Sequence, residues 1–395
     1  MIEERQHGAS TPGAVINLLN TIVGAGILAM PFAFKGIGMV SGICLQVIFC
    51  LCAQHSARLL LASYKLTSIR SYEGIATAAL GRAGFVIYNL ACFTNGAGSC
   101  LGYMVVVGDM VPPLLAELGF ECEREWVIVL VAIFIMFPLS AQSDLSALQY
   151  ASGVAILIYV VFTSTLLALY VRGPPLPLDP QPALFKPGAG GWLRAISLTA
   201  FSFACMPAIF PIYQELANPT MPRITRIATM AINIAALLYA ITGAAAYGYF
   251  GEAVLGDVLL DLATFNALYY KLLRLGIGFS VSLSYPVLQY TARRSLDQLM
   301  FGSTEGNAPR MRLMLETVAI VSVTLVLALY FTQIEVVLAY CGAVASTVTL
   351  LTFPPLTYVC LSPDSLWQKC GEILYFAAGV VIGTLGLINT IMQNT

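Results

Sequence analysis

The chain is built of long apolar runs without internal alternation, separated by short breaks rich in charge, proline or glycine. Inside a bilayer every backbone N–H and C=O must be satisfied without water, which only a helix or a closed barrel achieves. A barrel strand alternates apolar and polar residues, and these runs do not. A helical crossing needs about 20 residues, and the chain divides into eleven expected spans, at 13–36, 39–64, 84–113, 125–140, 146–171, 192–217, 224–250, 265–291, 312–332, 336–360 and 370–392. Composition agrees, since 58% of residues are hydrophobic and 10% charged. The mean hydropathy of +0.83 is incompatible with a water-facing surface. The expected class is an all-α polytopic membrane protein, with the lipid bilayer as its first partner.

Lysine and arginine set the orientation, because short cytoplasmic loops collect them. With the N-terminus cytoplasmic, Arg58, Lys65, Arg70, Arg82, Arg223, Arg226, Arg293, Arg294, Arg310, Arg312 and Lys369 fall on the cytoplasmic side. The other side receives Lys35, Arg124, Arg172, Lys186, Arg194, Lys271 and Arg274, with acids at Glu121, Glu123, Glu125, Glu252, Asp257 and Asp261. The polar tail MIEERQHGASTP has no cleavable leader pattern, so the first run is expected to insert the chain. The ten cysteines lie mostly within apolar runs, where they act as small apolar residues. No structural disulfide is expected at Cys122, although spacing alone leaves a bond to Cys100 open. No metal spacing is present, and His7 and His55 form no catalytic group. A net charge of -1 gives no reason to expect a nucleic-acid partner.

Two runs are interrupted. NLLNTIVGAGILAMPFAFKGIG, residues 17–38, places Gly24 and Gly26 in mid-span and Pro31 five residues on. The sixth run, WLRAISLTAFSFACMPAIFPIYQEL, breaks near ACMPAIFP. Corresponding breaks at the head of two five-span blocks point to an inverted repeat with a transport site where the halves meet. An intact helix consumes its own amides and carbonyls, whereas a broken one releases several of each. Free amides on the half-helix starting near Gly26 suit a carboxylate, and free carbonyls around Val23 suit a cation. The competing reading of a lone GxG, close helix packing through small residues, loses ground once the second break is counted.

These residues resemble the amino acid/auxin permease family, in particular its sodium-coupled neutral amino acid transporter branch. The likeness runs from NLLNTIVGAGILAMPFAFKGIG through SYEGIATAALGRAG, FSFACMPAIFPIYQELANPTMPRITR and GFSVSLSYPVLQYTARRSL, covering residues 13 to 392. It implies a LeuT-like five-plus-five inverted repeat with an eleventh transmembrane helix, working by alternating access. The expected organisation is a cytoplasmic tail at 1–12, a first repeat at 13–172, an outer proline-rich loop at 173–191, a second repeat at 192–360 and an eleventh helix with C-terminus at 361–395. Carried over residue by residue, Gly24, Ala25, Gly26 and Ile27 cradle the substrate carboxylate through backbone amides. Phe203, Ala204, Cys205 and Met206 accept the ammonium and shape the side-chain pocket. Asn95, Ser99 and Tyr103 recur at four-residue intervals and face the same cavity or, for the first two, hydrogen-bond between helices.

For a cation the resemblance implies Asn20 and the carbonyl of Val23, completed by Ser282 or Ser284. Ser280 shares a face with Ser284, and periodicity alone leaves the choice of serine open. Sodium or a proton is the expected coupling ion, with no other cofactor. The fifth run lacks the lysine that some proton-coupled relatives place at the sodium position, and Asp109, Glu316 and Glu335 are the intramembrane acids able to carry a proton instead. All three sit near span ends, where snorkelling explains them equally well. FSFACMPA and VGAGI contain no acid or base, so a charged substrate side chain would lie unpaired at membrane depth. The expected substrate is therefore a neutral amino acid of small to medium size. GVVIG at 379–383 fits an oligomer contact or packing within the bundle, and the proline-rich loop is expected to be a rigid connector. No nucleophile with a base, metal set or phosphate loop is present, so an enzyme is not expected. A channel would need a continuous polar pore. An amino acid sensor signalling to cytosolic partners is the alternative, disfavoured by short polar tails. Plasma membrane and lysosome or vacuole are both open.

Overall fold

The computed structural model of the protein describes residues 9–117, 119–141, 149–173, 181–302 and 309–394. His7, most of the N-terminal tail and part of the proline-rich loop lie outside these residues. Each predicted run is mainly helical over its described residues. The first is split into α1 (Thr11–Val23) and α2 (Gly26–Ile37), bent by 52° at the break. Then follow α3 (Met39–Thr67) and α4 (Tyr72–Glu117), in which Gly81 at a φ of 61° divides a short lead from the long span. The fourth run is α5 (Arg124–Val131), a π-helical segment (Ala132–Met136) and α6 (Phe137–Ser140); the fifth is α7 (Gln149–Arg172).

The second half repeats the pattern. The sixth run comprises α8 (Ala189–Ser202), one 3-10 turn (Met206–Ala208) and α9 (Ile209–Glu215). It is followed by α10 (Met221–Phe250), a short α11 (Val258–Leu262), α12 (Leu268–Phe301) and α13 (Arg310–Tyr330). The tenth run is α14 (Ile334–Cys341), two π-helical segments (Gly342–Ser346 and Val348–Thr352) and α15 (Phe353–Leu361), and the eleventh is α16 (Leu366–Asn394). Among the described residues, eight helical segments are long and apolar enough to cross a membrane, and the bent α1–α2 pair makes nine. The two other predicted spans stand outside that set for separate reasons. The fourth run is short, and α12 is diluted by Ser280, Ser282, Ser284, Pro286 and Gln289.

The broken helices pair crosswise, as an inverted repeat requires. At the end where the chain begins, Ala9 and Leu216 form a parallel bridge that joins the approach to α1 with the exit of α9. At the distal end α2 meets α8 backbone to backbone, and a Cβ on Gly36 would lie 3.2 Å from the carbonyl oxygen of Gly191. Elsewhere α12 lies along α4, where a Cβ on Gly96 would sit 3.0 Å from the Leu288 carbonyl. Small residues allow this approach where apolar lipid offers no hydrophobic drive for helix association. The GVVIG glycines serve the same purpose within the chain: Gly379 packs on Leu351, and Gly383 on Ala343 and Thr347. The ten cysteines are free.

The two sets of cations separate into two contact networks. At the N-terminal end Arg294 pairs with Glu73 at 2.8 Å and Arg312 with Asp297 at 2.8 Å, while Arg223 donates to Thr11 at 2.8 Å. At the distal end Arg124 pairs with Asp109 at 2.8 Å and Lys186 with Glu252 at 2.6 Å.

Candidate functional site

The two breaks face one another. α1 ends at Val23, and the first N–H to return to an acceptor in the next half is that of Leu28, 3.1 Å from the Ala25 carbonyl. The amides of Gly26 and Ile27 precede it in the first turn of α2, where no in-helix acceptor exists. Glycine at 24 and 26 is demanded by space. A Cβ on Gly24 would lie 2.7 Å from the Tyr103 hydroxyl, and one on Gly26 would lie 2.9 Å from Ser202 Cβ. The second break therefore closes directly on the first. Between α8 and the 3-10 turn the backbone is held by short-range bonds, Ala204 N–H to Phe201 O at 3.1 Å and Cys205 N–H to Phe203 O at 2.8 Å. A carbonyl oxygen has two lone pairs, so these acceptors keep capacity for an ammonium.

A tyrosine on α10 joins the breaks. The Tyr239 hydroxyl lies 2.6 Å from the Ile22 carbonyl and 3.0 Å from the Ser202 carbonyl, one bifurcated donor serving the last turn of both first halves. Its ring meets Phe203 edge to face at 5.4 Å, and Phe203 in turn lies 6.3 Å from Phe49 of α3. The Tyr103 hydroxyl lies against the break at Gly24, and Tyr159 of α7 is within electrostatic reach of both Tyr103 and Tyr239. Ile27, Phe203, Cys205, Met206, Tyr103, Tyr159 and Tyr239 are all buried. The junction of the breaks brings together backbone amides, carbonyls and hydroxyls among aromatic side chains, and no charged side chain is among these residues.

The model of the family described as "Transmembrane amino acid transporter protein" matches residues 7–392. The chain belongs to this family. It is 28% identical over 400 residues to the human protein "Solute carrier family 38 member 10", covering 95% of this chain and 34% of the relative. It is 28% identical over 316 residues to the Saccharomyces cerevisiae protein "Vacuolar amino acid transporter 2", covering 76% of this chain and 64% of the relative. The chain thus spans about a third of the length of the first. Two solved structures share its fold: MhsT in complex with L-phenylalanine, at a TM-score of 0.63, 13% identity and coverage of 98% and 100%, and a mutant of the Eremococcus coleocola manganese transporter, at 0.60, 11%, 96% and 86%. The family member is accordingly an integral multi-pass protein of LeuT-like fold, and the relatives are named as transporters, not enzymes.

The remaining predicted residues are distributed as follows. Asn95 is two helical turns from Tyr103, and its carbonyl oxygen accepts from Ser346 of the tenth run at 3.0 Å. Ser99 donates to the Asn95 backbone carbonyl at 2.7 Å. Of the three, Tyr103 is the one whose contacts place it on the breaks. Asn20 donates its amide to Ser152 of α7 at 3.3 Å, and Val23 is buried at the end of α1. Ser280 and Ser282 each donate to the carbonyl four residues back, at 2.9 and 2.8 Å, and Ser284 is half-buried. Among the described residues no group of three or more His, Cys, Asp or Glu could hold a metal ion.

The three acids considered as proton carriers each have neighbours within the protein. Asp109 pairs with Arg124, Glu316 lies 3.9 Å from Arg312, and the Glu335 carboxylate abuts Gly256, where a Cβ would collide with it. Next to it, in the distal loop, Asp257 caps α11 by accepting from the Leu259 amide at 2.9 Å. Its other oxygen is buried without a partner. Burial, with Asp109, Glu335 and Asp261 nearby, pushes the Asp257 carboxyl up to about 8, and burial pushes Asp261 up to about 6.

Sequence reasoning missed Tyr239, Ser202, Tyr159 and Phe49. Tyr239 carries no motif. Its signal is a polar tip within an otherwise apolar run, which in a membrane needs a partner.

Proposed function

We propose that the protein is a secondary active transporter that moves a neutral amino acid across its membrane by alternating access, coupled to a cation, with sodium favoured over a proton. One observation carries the reading: two broken helices meet at a buried junction, with unspent amides on one side, carbonyls on the other and aromatic residues around them. The amides of Gly26 and Ile27 suit a carboxylate, the carbonyls from Phe203 to Met206 suit an ammonium, and the lining suits an uncharged side chain. Family membership supports an amino acid as cargo. Separation of the half-helix pairs at one end, while they stay joined at the other, would open the junction of the breaks to each side in turn.

For the cation, Asn20 keeps its carbonyl oxygen available because its amide nitrogen is the group engaged with Ser152. The Val23 carbonyl and the hydroxyl of Ser282 or Ser284 complete an oxygen-only set. A cation moving down the membrane potential supplies about 2.3 kcal/mol per 100 mV, which drives accumulation of a zwitterion with no net charge. The N-terminal end carries the larger share of lysine and arginine and faces the cytoplasm in this reading. The name of the yeast relative favours a vacuolar or lysosomal membrane over the plasma membrane.

The test is uptake of labelled neutral amino acids into proteoliposomes, under an inward sodium gradient or an inward proton gradient, for wild type and Asn20→Ala. Sodium-driven accumulation lost in the variant supports the cation site. Accumulation driven by protons and indifferent to Asn20 removes that site, and absence of uptake under both gradients removes the transport reading.

A further inference from the structure

At the distal end a cavity of about 320 Å³ opens between α2, the segment leading into α8, the first turn of α8 and the end of α16. Lys35, Lys186 and Arg194 line it, against one carboxylate, Glu252. The position of each cation is built into the fold. The Lys186 amide donates to the Ile37 carbonyl at 2.8 Å, its ammonium donates to the Lys35 carbonyl at 2.9 Å and to Glu252 at 2.6 Å, and Trp192 Nε1 donates to the Lys186 carbonyl at 3.2 Å. Lys35 donates to the Val254 carbonyl at 3.0 Å. An ammonium carries three donors, so both lysines retain at least one. Arg194 stacks on Phe32 at 4.7 Å and reaches the Gln393 side-chain oxygen only at 3.5 Å, which leaves most of its five donors unspent. Glu335 is the other acid within its electrostatic reach, and it also acts on Lys35 and Asp109.

The backbone adds to the same field. Gly188 and Gly191 line the cavity at the start of α8, where first-turn amides have no in-helix acceptor and the helix dipole is positive. Three cations and a helix start converge on one open cavity whose own wall carries a single carboxylate, Glu252, the acids Glu335 and Asp261 acting on Arg194 and Lys35 from outside the lining. We propose that this cavity binds a phosphate-type oxyanion, supplied either as a free ion or as the headgroup of an anionic phospholipid lying beside α16. The ligand would tie α2 to α8, the two half-helices whose backbones touch at Gly36 and Gly191, and so hold this end of the bundle closed. The inference is independent of the transport reading, because its readout is binding.

The experiment uses the full chain in phosphatidylcholine nanodiscs with labelled inorganic phosphate, and in parallel nanodiscs containing phosphatidylglycerol followed by native mass spectrometry of retained lipid. Saturable phosphate binding in phosphatidylcholine identifies a free-ion site; retention of phosphatidylglycerol that millimolar phosphate does not displace identifies a headgroup site. Either binding is expected to weaken at least about tenfold in the Lys186→Gln/Arg194→Gln variant, since charge-assisted bonds are lost. Arg58→Gln, at an exposed cation elsewhere, should bind as wild type. Should the double variant fail to fold, Lys186→Gln alone must weaken binding and Arg194→Lys must keep it. Binding of neither probe, equal binding by the charge-removing variants, or displacement of phosphate by excess neutral amino acid would overturn the proposal.

Discussion

Tyr239 is one donor serving two interrupted helices, so removal of its oxygen isolates a single interaction. Tyr239→Phe preserves the edge-to-face ring contact with Phe203 and leaves the Ile22 and Ser202 carbonyls without their donor. An unsatisfied buried group costs about 1–3 kcal/mol, and the variant should lower the thermal midpoint and slow uptake about tenfold. Unchanged uptake would mean that the bridge plays no part in the cycle. Gly26→Ala tests space instead of bonding. Its Cβ would lie 2.9 Å from Ser202 Cβ and 3.1 Å from Ser202 Cα, so the breaks must part, and Ser202→Ala cannot relieve a clash made by Cβ. Uptake is expected to be lost in Gly26→Ala and to stay lost in the Gly26→Ala/Ser202→Ala pair. The demand at Gly26 was legible in the sequence because glycine in mid-span is itself the signal. The demand at Tyr239 was not, because its two partners come from segments 217 and 37 residues away.

Among the elements, α11 is a short helix whose cap is a buried acid. Asp257 is 2% exposed and bonds the Leu259 amide through one oxygen only. With its carboxyl pushed up to about 8 from an ordinary value near 3.8, the folded chain holds a proton that the unfolded chain releases. The stabilising contribution is therefore fully present below pH about 4, declines as pH rises, and is gone above about 8. Asp261, pushed up to about 6, adds to the decline in the lower part of that window. The groups facing Asp257 are Asp109 on α4, Glu335 on α14 and Asp261 on α11 itself. Asp257→Asn retains an acceptor for the cap and removes the charge. Wild type is expected to lose about 5 °C of thermal midpoint between pH 5 and 8, and Asp257→Asn to lose much less. Parallel curves for the two proteins would rule out Asp257 as the source. No periodicity foretold this helix, which is shorter than two turns and draws its burial from neighbours distant in the chain.

For the whole molecule, the crosswise pairing of half-helices and the separation of the two charge networks define two ends, and the spans must place them on opposite sides of the bilayer. Exposed Cys122 lies at the distal end and exposed Cys370 near the start of α16, at the N-terminal end. In single-cysteine variants within sealed vesicles of cellular orientation, an impermeant thiol reagent should label Cys370 from the cytoplasmic side and Cys122 only after permeabilisation, or from the opposite face. The reverse pattern would invert the topology. The sequence by itself determined the solvent, the helical class and the location of both interruptions, because lipid leaves the backbone one solution and glycine with proline marks where that solution fails. It also sorted the cations by end, since the order of spans and loops alternates sides and each charge has a fixed place in that order. Only the tertiary structure decided which groups meet: that Tyr239 spans the breaks, that the α16 glycines face the chain's own bundle, that Asn95 bonds the tenth run, and that Lys35, Lys186 and Arg194 converge on one cavity. Each of these depends on the rotation and depth of helices packed against others remote in sequence, which no local pattern encodes.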